Sequence, residues 1–136
     1  MAKPRNLGKA LYSQSILTAL TELGEEIAID QEGVINLSFH AIFAWGSAGT
    51  TCKAFVQTSI DGVTWADIVC FAFGVAVLSK IAAVNVITPV AVLTPTDGTL
   101  ADNTLVSGFI GDRIRIKRIS AGTYVATTLN IFMMQQ

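Results

Sequence analysis

Charge is what this chain has least of. Of its 136 residues only 14% are charged against 51% hydrophobic, and there is a single histidine. Any histidine-based triad or metal cluster would have to be built round His40, and no acid or thiol accompanies it at motif spacing. His40 shares its side of an alternating run with Asn36 and Ser38, so it reads as a polar position on a strand face. Phosphate-binding glycine loops, calcium-loop patterns and paired carboxylates at a recognisable spacing are also missing, and Asp61-Gly62 and Asp97-Gly98 read as turns. An enzyme is therefore not expected, nor is a cofactor or a bound metal.

The net charge of −1 excludes a broad basic footprint for nucleic acid or an anionic membrane. Long apolar runs are missing too. Between Asp67 and Asp97 the only charge is Lys80, which leaves two pieces of about a dozen residues, each short of the roughly 20 that a spanning helix needs. Their valines and isoleucines suit buried strands. The basic start, Met-Ala-Lys-Pro-Arg, is followed by a stretch too polar for the apolar core of a secretion signal, so a cytoplasmically made, unexported chain is expected.

What is present is a β-rich sequence. Its clearest stretch covers residues 51–73, TCKAFVQTSIDGVTWADIVCFAF, in which two strand-like runs flank Ser-Ile-Asp-Gly. With Gly62 in the left-handed region, a three-residue loop would set Ser59 opposite Val63 and, further along, Cys52 opposite Cys70. Even-numbered side chains would then form a core face. Lys53, Phe55, Gln57, Trp65 and Asp67 would form a half-exposed one. Such a register brings the two cysteines within disulfide reach, while a cytoplasmic setting favours two reduced, structural thiols; zinc would find its shell half empty.

Other strands are expected at residues 34–45, within 71–93, at 105–110 and at 113–119, with a second hairpin loop at 120–122 leading into a final strand at 123–134. Residues 1–20 read as an N-terminal arm, with residues 11–20 either a helical turn or extended, and residues 21–136 as a single all-β domain. The spacing of strands and turns predicts an antiparallel β-sandwich, with a jelly roll as the preferred topology. A mean hydropathy of +0.56 is high for a small isolated protein, which points to an oligomer or to a subunit of a larger assembly.

Candidate contacts lie at the two ends. Lys3, Arg5 and Lys9 make the arm basic, and Leu11 and Tyr12 follow them. Near the C-terminus, Arg113, Arg115 and Lys117 place three cations on one strand face, with Arg118 beside them and Ile114 and Ile116 packing inward. Trp65, next to Gln57 and Asp67, is the candidate for stacking on a surface ligand such as a sugar.

The segment FVQTSIDGVTWADI resembles a hairpin of galactose-binding or discoidin-like β-sandwich modules and of small tailed-phage virion proteins. The wider layout is a basic arm, a low-charge β-rich body, the late stretch DGTLADNTLVSGFIGDRIRIKRISAGTYVATTLNI and an apolar C-terminal strand. It resembles small structural proteins of tailed bacteriophages, of the capsid decoration or cement type. That resemblance implies a non-enzymatic virion protein, assembled in the bacterial cytoplasm. Its implied partners are the major capsid protein and copies of itself, with a trimer favoured. A neck or tail position, or a glycan-binding module on the virion surface, is the alternative it leaves open.

Overall fold

The computed structural model describes residues 9–16, 20–29 and 36–135. In chain order the strands are β1 (Lys9–Ile16), β2 (Leu20–Leu23), β3 (Ile27–Ala28), β4 (Asn36–Ala44), β5 (Ser47–Ala48), β6 (Thr51–Ser59), β7 (Trp65–Phe73), β8 (Leu78–Asn85), β9 (Arg113–Ala121), β10 (Tyr124–Val125) and β11 (Thr127–Gln135). They form a four-stranded antiparallel sheet, β1-β11-β4-β8, and a five-stranded one, β2-β9-β6-β7, in which β3 extends the β2 side of β9. A small β5-β10 ribbon lies apart from both. This order establishes an antiparallel sandwich without establishing the jelly-roll connectivity expected from the sequence.

Alternation builds the layers. In β4, Leu37, Phe39, Ala41 and Phe43 are buried while Asn36, Ser38, His40 and Ile42 are half-covered on the other face. β9 and β11 repeat the pattern, so one face of each sheet meets the other in a common core. Phe43 joins the layers: its ring stacks on Phe73 of β7 at 4.9 Å and meets Tyr124 edge-on at 5.5 Å.

Several expectations are corrected. Residues 9–16 are not an arm: β1 pairs with β11 along its length, and Leu11 and Tyr12 are buried in the core. The loop at 120–122 does not close a hairpin, because β9 lies in one sheet and β11 in the other. Residues 105–110 contribute a single bridge, Leu105 to Val69, instead of a strand.

The central hairpin exists, in a different register. Asp61 Oδ1 accepts from the backbone N–H groups of Val63 (2.8 Å) and Thr64 (2.6 Å), and Ser59 Oγ accepts from Gly62 N–H. These bonds remove Val63 and Thr64 from the ladder, so Ser59 faces Trp65 and the loop has five residues. They also hold the exposed Asp61 carboxyl down at about 2. Gly62 takes φ +80°, as the turn requires.

A bulge then adds Ile68 between the pairs Gln57–Asp67 and Val56–Val69. Past it the parity of β7 reverses. Cys52 faces Phe73 on the core side, whereas Cys70 faces Phe55 on the opposite side of the sheet, so the two thiols are free and cannot bond to each other. Burial pushes the Cys52 thiol from its ordinary 9.0 up to about 11. The folded state thus favours the protonated thiol, and the associated stabilisation is complete below pH 9 and lost as pH rises through about 11. Native protein at pH 8 is expected to leave Cys52 unalkylated by iodoacetamide over a time in which urea-unfolded protein reacts fully; equal rates would contradict this burial.

Candidate interaction surface

The expected half-exposed face of the hairpin is covered. Residues 94–106 cross over it and close the outer edge of β7: Asp67 N–H donates to Thr96 O (2.8 Å), Cys70 N–H to Thr104 O (3.0 Å), and Val106 N–H to Ile68 O (2.9 Å). Asp67, buried beneath, collects the turn that follows. Its carboxylate accepts from Thr96 Oγ1 (2.8 Å) and from the N–H groups of Gly98 (2.8 Å), Thr99 (3.1 Å) and Leu100 (3.2 Å). The successive N–H groups form a cradle of the kind that holds anions, here filled by the protein's own carboxylate.

Gln57 completes the cluster. Its amide N–H₂ donates to Asp67 Oδ1 (2.8 Å) and Asp97 Oδ1 (2.6 Å), while its Oε1 accepts from Arg115 Nε (2.8 Å). The Arg115 guanidinium also lies 4.2 Å over the Trp65 ring. Lys117 Nζ donates to the Asp97 carboxylate (3.0 Å) and carbonyl (3.2 Å). The bond from Gln57, and then the Lys117 ammonium, hold the Asp97 carboxyl below the ordinary range.

The sequence therefore brings Trp65, Arg115 and Lys117 together as a clamp on the protein's own loop, and the expectation of a free docking face is corrected. The side chains of Arg115 and Lys117 are only 11% and 18% exposed, against 37% for Arg113. Arg113 is held by Asp112 (2.9 Å) and Glu26 (3.5 Å). Trp65 is 8% exposed and its face is taken by Arg115, so it offers no platform for a sugar. Arg118 has the parity of Ile114 and Ile116, points between the sheets and is 2% exposed. Tyr12 donates its hydroxyl to Glu22 (2.6 Å). Lys3 and Arg5 lie outside the described residues, and of Lys9 only the backbone pairing with Met133 is described.

Beside the clamp the surface carries one long apolar stretch. From the β7–β8 turn onward, Val75, Val77, Leu78, Ile81, Val86, Ile87, Val90, Val92 and Leu93 are all exposed, Ile81 at 77%. Lys80 does not interrupt this belt. It points inward from β8, donating Nζ to Ala72 O (2.6 Å) and Asn103 Oδ1 (2.7 Å) and lying 5.2 Å over the Phe73 ring. The belt continues onto the outer face of the four-stranded sheet, where a shallow groove of ≈ 360 Å³ runs between His40, Ile42, Ile81, Phe132 and Met134. His40 is flanked by Phe132 and Ile81 there. A second cleft, of ≈ 390 Å³, lies between the hairpin tip and the crossing loop, lined by Ile60, Thr64, Ala66, Leu93 and Phe109.

Among the described residues no group of three or more histidines, cysteines or acids is placed to hold a metal, and no helix is long and apolar enough to cross a membrane. From the sequence Asp67 belongs to a candidate ligand face with Trp65 and Gln57, whereas the exposed edge is not singled out as functional. The signal for the edge was there, in the charge gap between Asp67 and Asp97. No family model, curated protein or solved structure matches this chain.

Proposed function

We propose that this protein is a non-enzymatic structural subunit that binds and stabilises the capsid shell of a tailed bacteriophage, as a decoration or cement protein, with the major capsid protein and copies of itself as partners. The observation that supports it most is the belt from Val75 to Leu93. A sandwich that uses most of its charged side chains to hold its own loops, and leaves nine aliphatic side chains facing outward, is built to be covered. Many identical weak contacts on a lattice need no catalytic group, and their strength comes from repetition. In this reading the contacts are made by the belt, the cleft at the hairpin tip and Arg113, with Lys3, Arg5 and Lys9 as an added basic contribution. The residue assignment thus moves from the cation strand to the uncharged surface.

The test is stoichiometry on particles. In virions purified from a bacterial culture producing the phage that carries this coding sequence, the chain is expected in fixed ratio to the major capsid protein. Deleting it is expected to leave particles that lose DNA at lower temperature. Absence of the chain from purified particles would overturn the reading, and recovery in a few copies per particle would move it to the neck or tail.

A further inference from the structure

The sandwich's sheet edges are not alike. β7 is closed by residues 96–106. The β2 and β3 edge is short, breaks at Gly24 and carries Glu22, Glu25 and Glu26, while β1 presents exposed Ser13, Gln14 and Ser15. Such breaks and polar side chains are how proteins keep edges from pairing. β8 has the fewest of them: its polar side chains, Ser79 and Asn85, lie toward its ends, and its one charge is turned inward and satisfied there.

The backbone of β8 shows which groups are open. Asn85 N–H donates to Ser107 Oγ (3.0 Å) and its carbonyl accepts from Gly108 N–H (2.8 Å), so both point away from β4. Strand alternation gives Ser79, Ile81 and Ala83 the same outward orientation. Among the described residues these three have no backbone partner on that side, and Ile81 is the midpoint of the open span.

We infer that the β8 edge pairs with β8 of a second copy of this chain, antiparallel about a two-fold axis through Ile81. Ile81 then faces Ile81 of the other copy, and Ser79 faces Ala83. Lys80 falls opposite Ala82, so no like charges meet. Pairing stops at Ser79 and Ala83, because Ser107 and Gly108 already bond the outward backbone groups of Asn85; beyond it Val77 (68% exposed) and Ile87 (67%) stand uncovered. An isologous contact of this kind needs a surface complementary to itself, and an uncharged, alternating strand supplies one. The six exposed aliphatic side chains on and beside the strand, Val75, Val77, Leu78, Ile81, Val86 and Ile87, amount to between three and four fully exposed residues, roughly 200–400 Å² of apolar surface. With the strand backbone this stays below the ~800 Å² per partner of a standard interface, which fits a pair that dissociates on dilution. The pair replaces the trimer that the family resemblance implies, and it stands whether or not the chain belongs to a virion.

The experiment uses the full chain in solution. Light scattering and native mass spectrometry are expected to show a dimer that dissociates on dilution, and Ile81→Lys to raise its dissociation constant at least about tenfold without changing the circular dichroism spectrum. Because Ile81 is exposed, its replacement leaves the core untouched. Ile81→Cys is expected to give a disulfide-linked dimer under mild oxidation, since Cα atoms of directly opposed strand residues lie within about 4.5–5.5 Å of each other. Val63→Cys, exposed at the hairpin tip, is not. Four results would overturn the pair: a wild-type monomer at about 100 µM, a trimer, an Ile81→Lys protein that dimerises as before, or equal cross-linking at position 63. Protection of β8 amides only on capsid shells would assign the edge to the shell subunit and overturn it too.

Discussion

Asp67→Ala is expected to destabilise the protein by about 3 kcal/mol and to release residues 94–106 from the sheet. A hydrogen bond to a charged group contributes about 1.5–3 kcal/mol, and a buried donor left unmatched costs about 1–3 kcal/mol. Asp67 receives several such bonds, from Gln57, Thr96, Gly98, Thr99 and Leu100. The sum is not the effect, because the turn lies near solvent and its amides rehydrate once freed. Asp67→Asn should lose nearly as much: its amide keeps one acceptor oxygen but turns N–H₂ toward groups that are themselves donors. The urea midpoint reports the stability, and amide exchange locates the change. Fast exchange at residues 98–106, with β4 and β11 still protected, is the expected pattern. A loss below about 1 kcal/mol, with exchange in the loop unchanged, would show that the carboxylate is not what holds it.

The second large effect is at Phe43. Phe43→Ala is expected to cost about 3–5 kcal/mol, the range for emptying a buried aromatic site. Fully buried, Phe43 reaches from β4 to Phe73 in the opposite sheet and to Tyr124 in the small ribbon, and Tyr124 in turn donates its hydroxyl to Gly74 O (2.8 Å). Removing the ring therefore opens a hole against both layers, and β structure on either side is too constrained to collapse into it. The urea midpoint should fall with the denaturant slope unchanged, and the near-ultraviolet circular dichroism of Tyr124 should weaken. A cost under about 1.5 kcal/mol would mean that the layers repack, and that the ring is not the joint between them.

The clamp and the open edge are connected. Residues 96–106 close the edge of β7, and Asn103 also receives the Lys80 ammonium, which keeps the only charge of β8 out of the exposed belt. Loosening that loop through Asp67→Ala should therefore free Lys80 as well as the β7 edge.

By itself the sequence determined the class of fold and the nature of the surface. The alternation at residues 36–44 and 113–119 fixes which side of each strand is core, because side chains on a pleated strand have a period of two whatever they pack against. The charge gap from Asp67 to Asp97 fixes that an unusually apolar segment must be covered by something. Pairing between distant segments was not legible, since it depends on groups that do not neighbour each other in the chain. The register of β6 and β7 turned on where the Asp61 carboxylate sends its bonds and on one added residue at Ile68, and together these put Cys52 and Cys70 on opposite faces. Arg115, Lys117 and Trp65 have the pattern of a free surface, yet residues 94–106 lie over them, and the valines and isoleucines between Asp67 and Asp97 have the composition of buried strands, yet Ile81 is exposed on an edge strand. Local composition says what a side chain prefers; only the tertiary structure decides whether another part of the same chain supplies it, and at the β8 edge none of the described residues does.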